Sequence, residues 1–378
     1  MRLAIVGCGY VSDYYLKTLP LHPQLTLLGC FDKMPERAQH LAQRYGIRQY
    51  ASLEELVDDP QVDTVLNLTN PRAHYSISQL ALQAGKHVYS EKPLAMTIPE
   101  AQELADLAKA QGLQLISAPC SCLSETAQTL WKALREEVLG PIRLVYAEMD
   151  DGLVHRMPYD QWVSSEGIAW PFQDEFEVGC TLEHAGYYLT WLTMFFGPAT
   201  TVTAFSSCLI PAEEKCSDVT LVPDDTPDFS VACIKFASGV VARLTCSIVA
   251  PHDHSLRIIG DGGVMGIEDC WYYGDPVYIQ RLVKVRRRVF MSPLKQRYPL
   301  VRKVGRFNYR GAQQMDFCRG VAELATALQE GRPSRLAGDF SLHNNELAIA
   351  IQQALETGAP YRLTTRFEPM TPMPWAMS

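Results

Sequence analysis

A doubly wound parallel α/β sheet, followed by an α+β region with a large, mainly antiparallel sheet, is the architecture this sequence predicts. Three observations carry it. Short apolar runs alternate with helical patterns through residues 1–118. The first run, Leu3 to Val6, passes directly into Gly7-x-Gly9-x-x-Ser12. Beyond residue 140 the apolar runs follow one another with hairpin signals between them instead of helices.

The opening reads as a buried strand, a tight glycine turn and a helix beginning at Ser12. Gly7 permits the turn. Gly9 keeps a Cβ away from whatever the backbone approaches, and Tyr10 and Val11 complete the loop. The second apolar run, Leu25 to Phe31, ends in Asp32 and Lys33. An acid about twenty residues past the glycines, at the end of the second strand, suits a ribose 2′-hydroxyl, and the glycine turn suits a pyrophosphate. A dinucleotide site of the Rossmann type is therefore expected. Asp32 would repel a 2′-phosphate, which favours NAD over NADP, while Lys33 is the one residue placed to turn toward such a phosphate.

The chain then continues in the same alternation. Pro35 to Tyr45 is a helix with Pro in its first turn and Gly46 after its end. Ser52-Leu53-Glu54-Glu55 has the capping-box form. Val62 to Leu68 is a buried strand ending in Thr69-Asn70-Pro71, with His74 beyond, before a helix Ala73 to Ala84. His87 to Tyr89 is a strand running into Ser90-Glu91-Lys92-Pro93. Pro99 to Gln111 is a helix and Leu113 to Ser117 another strand. Ligands on such sheets sit at the carboxyl ends of the strands. Gly7, Gly9, Asp32, Thr69, Asn70 and Glu91-Lys92 all fall there.

Residues 1–118 thus form the expected first domain, and 119–378 a second, with late helices (Gln313 to Gln329, Leu342 to Thr357) that cover its sheet or pack back on the first. The second domain opens with a helix, Ser124 to Leu139. Strands follow at Ile142 to Met149, Thr200 to Cys208, Phe229 to Phe236, Gly239 to Ile248, Ser255 to Gly260 and Gly263 to Glu268, with an aromatic helix from Gly179 to Phe196.

The 378 residues suit two domains, and 47% hydrophobic with 20% charged residues is a globular composition. A formal charge of −8 argues against a nucleic-acid partner. No apolar run is long enough to span a bilayer. The first strand starts at the N-terminus, leaving no room for a signal peptide, and the 11 scattered cysteines read as reduced thiols. A cytoplasmic location is expected.

The glycine fingerprint, Glu91-Lys92-Pro93 and the helix start Glu183-His184-Ala185-Gly186-Tyr187-Tyr188-Leu189-Thr190 together resemble the Gfo/Idh/MocA oxidoreductases. Gly338-Asp339-Phe340-Ser341-Leu342-His343-Asn344-Asn345-Glu346 is similar to that family's C-terminal region. The resemblance implies a Rossmann domain, an antiparallel-sheet domain that mediates a homodimer or homotetramer, and hydride transfer between a nicotinamide and a sugar, polyol or sugar derivative. It also implies that Glu91 contacts the nicotinamide ribose; His74, near a helix start, is expected to face the cofactor or merely to cap that turn. Lys92, Glu183 and Tyr187 hold the substrate, and Lys92 and Tyr187 handle the proton. In the family, Asp, His and Asp usually stand where this chain has Glu183, Tyr187 and Thr190. The usual polar run after the last parallel strand is replaced by Ala118-Pro119-Cys120-Ser121-Cys122. These departures leave a non-catalytic nucleotide- or sugar-sensing binder as the alternative.

A phenol is a poor base near its free pKa of about 10, and an adjacent ammonium lowers that value. His184, three residues before Tyr187 on one helix face, is the rival acid/base. No metal site is assigned. Cys120-x-Cys122 has no second pair beside it, and His252-Asp253-His254 could ligate a metal but reads rather as an exposed turn before the strand at Ser255. The segment Arg281 to Arg310 holds eleven Lys and Arg and no Asp or Glu. It reads as a solvated or partner-binding hairpin, or else as a site for an anionic group on the substrate.

Overall fold

The computed structural model describes residues 1–211, 214, 226–304, 314–355 and 357–377. Two compact units emerge. The first gathers Met1–Pro119, Pro158–Val178 and Phe317–Ile349; the second gathers Cys120–Met157, Gly179–Asp316 and Ala350–Ser378. The expected second domain, 119–378, is therefore not one run. The chain returns twice to the first unit, once with a short strap and once with the late helix Arg319–Glu330 and the helix Asp339–Gln352 as far as Ile349.

The first unit is built on β1 (Arg2–Val6), β2 (Thr26–Phe31), β3 (Arg48–Gln49), β4 (Thr64–Asn67), β5 (His87–Ser90) and β6 (Leu115–Ser117). All are parallel, in the order β3-β2-β1-β4-β5-β6. That order places a crevice at the carboxyl ends beside β1. β1 and β4 are buried almost throughout because helices cover both sheet faces. Local chemistry sets the helix ends. Ser52 Oγ accepts from Glu55 N while Glu55 Oε2 accepts from Ala51 N. Thr97 Oγ1 accepts from Glu100 N. Gly46 closes the helix Pro35–Tyr45 at φ +64°. Two-residue β3 carries too few apolar positions to stand out in the sequence.

In the second unit β7 (Ile142–Asp150), β8 (Ala199–Ser207), β9 (Phe229–Phe236), β10 (Val241–Ser247), β11 (Leu256–Gly260), β12 (Gly263–Ile267), β13 (Val277–Val285), β14 (Arg288–Tyr298) and β15 (Tyr361–Arg362) form one sheet. The order is β14-β13-β12-β11-β7-β10-β9-β8-β15. Only the β7–β10 pairing is parallel. β9 alternates buried and exposed residues, as a sheet with one covered face requires. The expected aromatic helix from Gly179 is two helices, Cys180–His184 and Gly186–Phe196. Its last turn packs on the sheet through Phe196 and Phe236, with ring centroids 5.7 Å apart.

The basic segment forms most of β13 and β14, a hairpin that turns at Arg286 (φ +55°). Its charges are exposed or answered within the unit. Arg302 pairs with the buried Glu125 at 2.7 Å and lies over the Trp375 ring. Lys295 stands 3.9 Å from Glu268. Arg306, Arg310 and Gln313 lie outside the described residues. Every described cysteine is a free thiol. No helix among the described residues is long and apolar enough to cross a membrane.

The strap Pro158–Val178 lies in the first unit through polar contacts. Ser165 N and Oγ both donate to Asp13, at 3.0 and 2.8 Å. Glu166 accepts from Arg44 at 2.7 Å and sits 3.0 Å from His40. Asp174 accepts from Asn70, and Arg72 lies 3.5 Å from Glu177. Burial pushes the Asp13 carboxyl up, but hydrogen bonds from Lys17 and Ser165 outweigh it and hold the group below the ordinary 3.8. A depressed folded-state pKa means the anchorage is complete above the ordinary aspartate value and is lost as pH falls through the depressed one. Hydrogen bonds to a charged group contribute about 1.5–3 kcal/mol. Asp13→Ala should therefore speed amide hydrogen exchange across 159–178 by roughly tenfold or more at pH 7, leaving β1 and β4 protected. Relative to that variant, wild-type protection should vanish at acid pH. Equal exchange in the two proteins at pH 7 would show that Asp13 does not hold the strap.

Candidate active site

The carboxyl ends of β1, β2, β4 and β5 meet through backbone bonds. Gly7 N donates to Phe31 O at 2.9 Å, Leu68 N to Val6 O at 2.8 Å and Glu91 N to Asn67 O at 2.8 Å. Gly7 has φ +94°, and a Cβ there would stand 2.6 Å from Leu68 O, so no other residue fits. At Gly9 a Cβ would project into open space, which leaves the loop backbone approachable. Ser12 Oγ donates to Gly9 O at 2.6 Å and closes the turn against the helix Ser12–Thr18. Tyr10 and Val11 are half-buried on that loop.

Asp32 is buried, and each of its oxygens takes one backbone donor: Cys8 N at 2.7 Å and Met34 N at 2.8 Å. A carboxylate has about four lone-pair directions, so capacity for a ribose hydroxyl remains. The acid thus fixes the glycine turn as well as standing beside it. Lys33 next to it is exposed. A glycine turn with free space at Gly9 and an unsaturated carboxylate beside it fits a dinucleotide.

Thr69 Oγ1 donates to Asn67 Oδ1 at 2.7 Å, and Asn67 Nδ2 reaches Ser78 Oγ at 3.2 Å, so that loop is braced from below. Asn70 spends its amide on Asp174 of the strap. Of the two roles expected of His74, facing the cofactor or capping its turn, its contacts support the second. It is fully buried, with Nδ1 2.7 Å from Pro93 O and Nε2 2.9 Å from Thr69 O. Burial pushes its pKa down against the pull of the two carbonyls. The neutral ring donates to one of them. Its place is between the loops after β4 and β5, and it presents no surface to a ligand.

Glu91 is buried. Its Oε1 accepts from Tyr15 at 2.6 Å and its Oε2 from Lys92 N at 3.1 Å. Tyr15 sits on the first helix, a partner that sequence reading missed because nothing local links it to residue 91. The half-buried Lys92 follows on this pinned turn.

In the second unit, Glu183 and His184 end one short helix and Tyr187 opens the next. All three are buried. Tyr187 meets Trp271 edge-on at 5.4 Å, and His184 lies 6.2 Å from the same indole. The two rival acid/base groups thus share one aromatic wall. His184 Nδ1 is 3.7 Å from Asp151 Oδ2. Thr190 donates back to Gly186 O at 3.0 Å, so its hydroxyl serves its own helix. Ser121 Oγ accepts from Trp191 Nε1 at 3.0 Å and Cys120 Sγ donates to Asp316 O at 3.5 Å, so two side chains of the altered 118–122 run are engaged within the second unit. Trp271, Asp151 and Tyr15 carried no sequence signal; each is defined by contacts more than thirty residues away.

A family model described as an oxidoreductase family with an NAD-binding Rossmann fold matches residues 1–118. A Gfo/Idh/MocA C-terminal domain model matches residues 127–265. Bovine trans-1,2-dihydrobenzene-1,2-diol dehydrogenase is 27% identical over 278 residues, 72% of this chain and 75% of the relative. An uncharacterized oxidoreductase of Synechocystis is 26% identical over 272 residues, 70% of each chain. An aldose-aldose oxidoreductase from Caulobacter crescentus, solved with glycerol, superposes with a TM-score of 0.76 at 19% identity, covering 96% of this chain and 99% of that one. KijD10, a 3-ketoreductase from Actinomadura kijaniata solved with TDP-benzene and NADP, gives 0.70 at 20% identity, covering 94% and 98%. At these identities the two structures speak to the fold alone, and the fold agrees. With both domain models matched over most of its length, the chain belongs to the Gfo/Idh/MocA family of NAD(P)-binding oxidoreductases, enzymes that act on alcohol groups.

Proposed function

We propose that this enzyme transfers a hydride between NAD(H) and a carbon bearing a hydroxyl on a sugar, polyol or sugar derivative, with Lys92 and Tyr187 handling the proton. The observation that carries the reading is the pinned Glu91–Lys92 turn. Glu91 is locked by Tyr15 and by the Lys92 N–H, so the Lys92 ammonium starts from a fixed backbone position at the carboxyl end of β5. The nicotinamide, when bound, supplies the hydride acceptor. Lys92 holds the substrate oxygen and favours its anionic form. Tyr187 takes the hydroxyl proton, its ring steadied by Trp271. The basic segment, with Arg302 and Lys295 answered by carboxylates, supports a solvated or partner-binding arm over a substrate subsite.

The hairpin also supports the proposed homo-oligomer. β14 is an edge strand exposing Val289, Phe290 and Leu294, the last at 71%. Light scattering behind a sizing column should give a dimer or tetramer, and Phe290→Glu with Leu294→Glu should lower its mass toward that of one chain. An unchanged mass excludes this edge as the interface.

Lys92→Ala and Tyr187→Phe should each lower kcat/KM by about 100-fold or more, the range general acid–base groups contribute, while NAD still binds. Near-normal turnover in Tyr187→Phe together with loss in His184→Ala transfers the role to His184.

Calorimetric titration should show NAD(H) binding more tightly than NADP(H), because a 2′-phosphate meets the Asp32 carboxylate. Asp32→Ser should shrink that preference and also loosen the glycine turn, since Cys8 N loses its acceptor. Tighter binding of NADP(H) to the wild type overturns the assignment.

A further inference from the structure

His254 is fully buried, and among the described residues neither of its ring nitrogens has a hydrogen-bond partner. This is not the exposed turn that the sequence suggests for 252–254. His252 and Asp253 are exposed, but His254 turns inward. Nε2 faces Asp151 Oδ1 at 3.6 Å and Nδ1 faces Asp269 Oδ1 at 3.5 Å, both beyond hydrogen-bond length. An orphaned buried imidazole costs free energy unless something occupies the space between it and its neighbours.

His252 and His254 are two residues apart, and their rings meet although one is exposed and the other buried. Their ring centroids are 4.1 Å apart. One donor atom each from Asp151, His252 and His254 lies within 4.8 Å of the others. Bonds of about 2.0–2.1 Å at a tetrahedral ion place donors roughly 3.3 Å apart. The Nε2–Oδ1 pair is nearly there, and the exposed His252 side chain has the freedom to close the rest.

We propose that Asp151, His252 and His254 bind one divalent transition-metal ion of the zinc class, with Asp269 orienting the His254 ring from behind. Two imidazoles and a carboxylate suit zinc or cobalt(II) rather than magnesium or calcium, which prefer all-oxygen shells. Asp269 supplies the outer carboxylate that metal-bound histidines commonly face. It is itself fixed, because Oδ1 accepts from Trp271 N at 2.8 Å. The segment is preset by backbone bonds. Asp150 N donates to Asp253 O at 3.0 Å, and Asp253 N donates to Asp150 O at 2.9 Å. Three protein ligands leave one coordination position open. This proposal does not rest on the hydride-transfer reading, although Asp151 also lies 3.7 Å from His184 and Asp269 is held by Trp271, whose indole meets Tyr187.

The test is zinc titration of the chelator-stripped full chain against a chromophoric competitor, with cobalt(II) absorption as a second readout. The expected result is one equivalent per chain and a tetrahedral-type cobalt spectrum. Changing an outer partner commonly costs about 10- to 100-fold in affinity, so Asp269→Asn should fall in that range and His252→Ala and Asp151→Asn beyond it. His252 is exposed, so His252→Ala keeps the fold and decides the question where the buried His254→Ala fails to fold. Absence of stoichiometric uptake, or uptake that His252→Ala and Asp151→Asn leave unchanged, overturns the proposal.

Discussion

The first unit depends on one close approach. Where β1 ends, Gly7 passes so near Leu68 and Thr69 that a Cβ would fall 2.6–2.8 Å from their backbone atoms. The contact presses the loops after β1 and β4 into one wall. Asp32 then ties the end of β2 to that wall through Cys8 N, and His74 bridges the loop after β4 to the one after β5. Four strand ends are fixed by backbone groups and two buried side chains. Residues that face outward from this edge, Tyr10, Lys33 and Lys92 among them, inherit its rigidity without having to supply it.

This division of labour explains what could be read in the sequence. The glycine spacing, Asp32 and the Glu91-Lys92 turn are each local, set by positions within a strand end, and the parallel sheet declares itself through uninterrupted apolar runs. The roles of Tyr15, Asp13 and His74 are not local. Tyr15 and Glu91 are 76 residues apart in sequence, and Asp13 and Ser165 are 152 apart. A helical tyrosine and an acid in a first turn are ordinary on their own. His74 was legible as a residue near the site but not as a buried bridge, because burial is a property of the assembled loops.

The same reasoning applies to elements. β13 and β14 hide in the sequence because their residues from Arg281 on are mostly exposed, so no apolar alternation marks them. The break between the helices Cys180–His184 and Gly186–Phe196 is masked by continuous hydrophobicity: every residue of the second helix but Gly186 and Phe195 is buried. Thr190 shows why a motif position is not a function. Its hydroxyl is absorbed by Gly186 O, so polarity there adds nothing to the wall formed by Trp271.

His254 presents the inverse case, a side chain positioned without use of its polar atoms. Its carbonyl accepts from the Tyr188 hydroxyl, its backbone bridges to Asp269, and its ring lies edge-on to Trp271 with centroids 4.3 Å apart. Packing and main-chain bonds therefore fix the imidazole in place. In a core histidine of purely structural role the ring nitrogens make hydrogen bonds of their own. Here two carboxylates stand just outside hydrogen-bond range on opposite sides of a ring already held still. The 3.6 Å from Nε2 to Asp151 exceeds hydrogen-bond length, lies within ion-pair reach and is close to what two ligands of one small ion require, so the rigidity of the segment and the openness of its nitrogens belong to the same design.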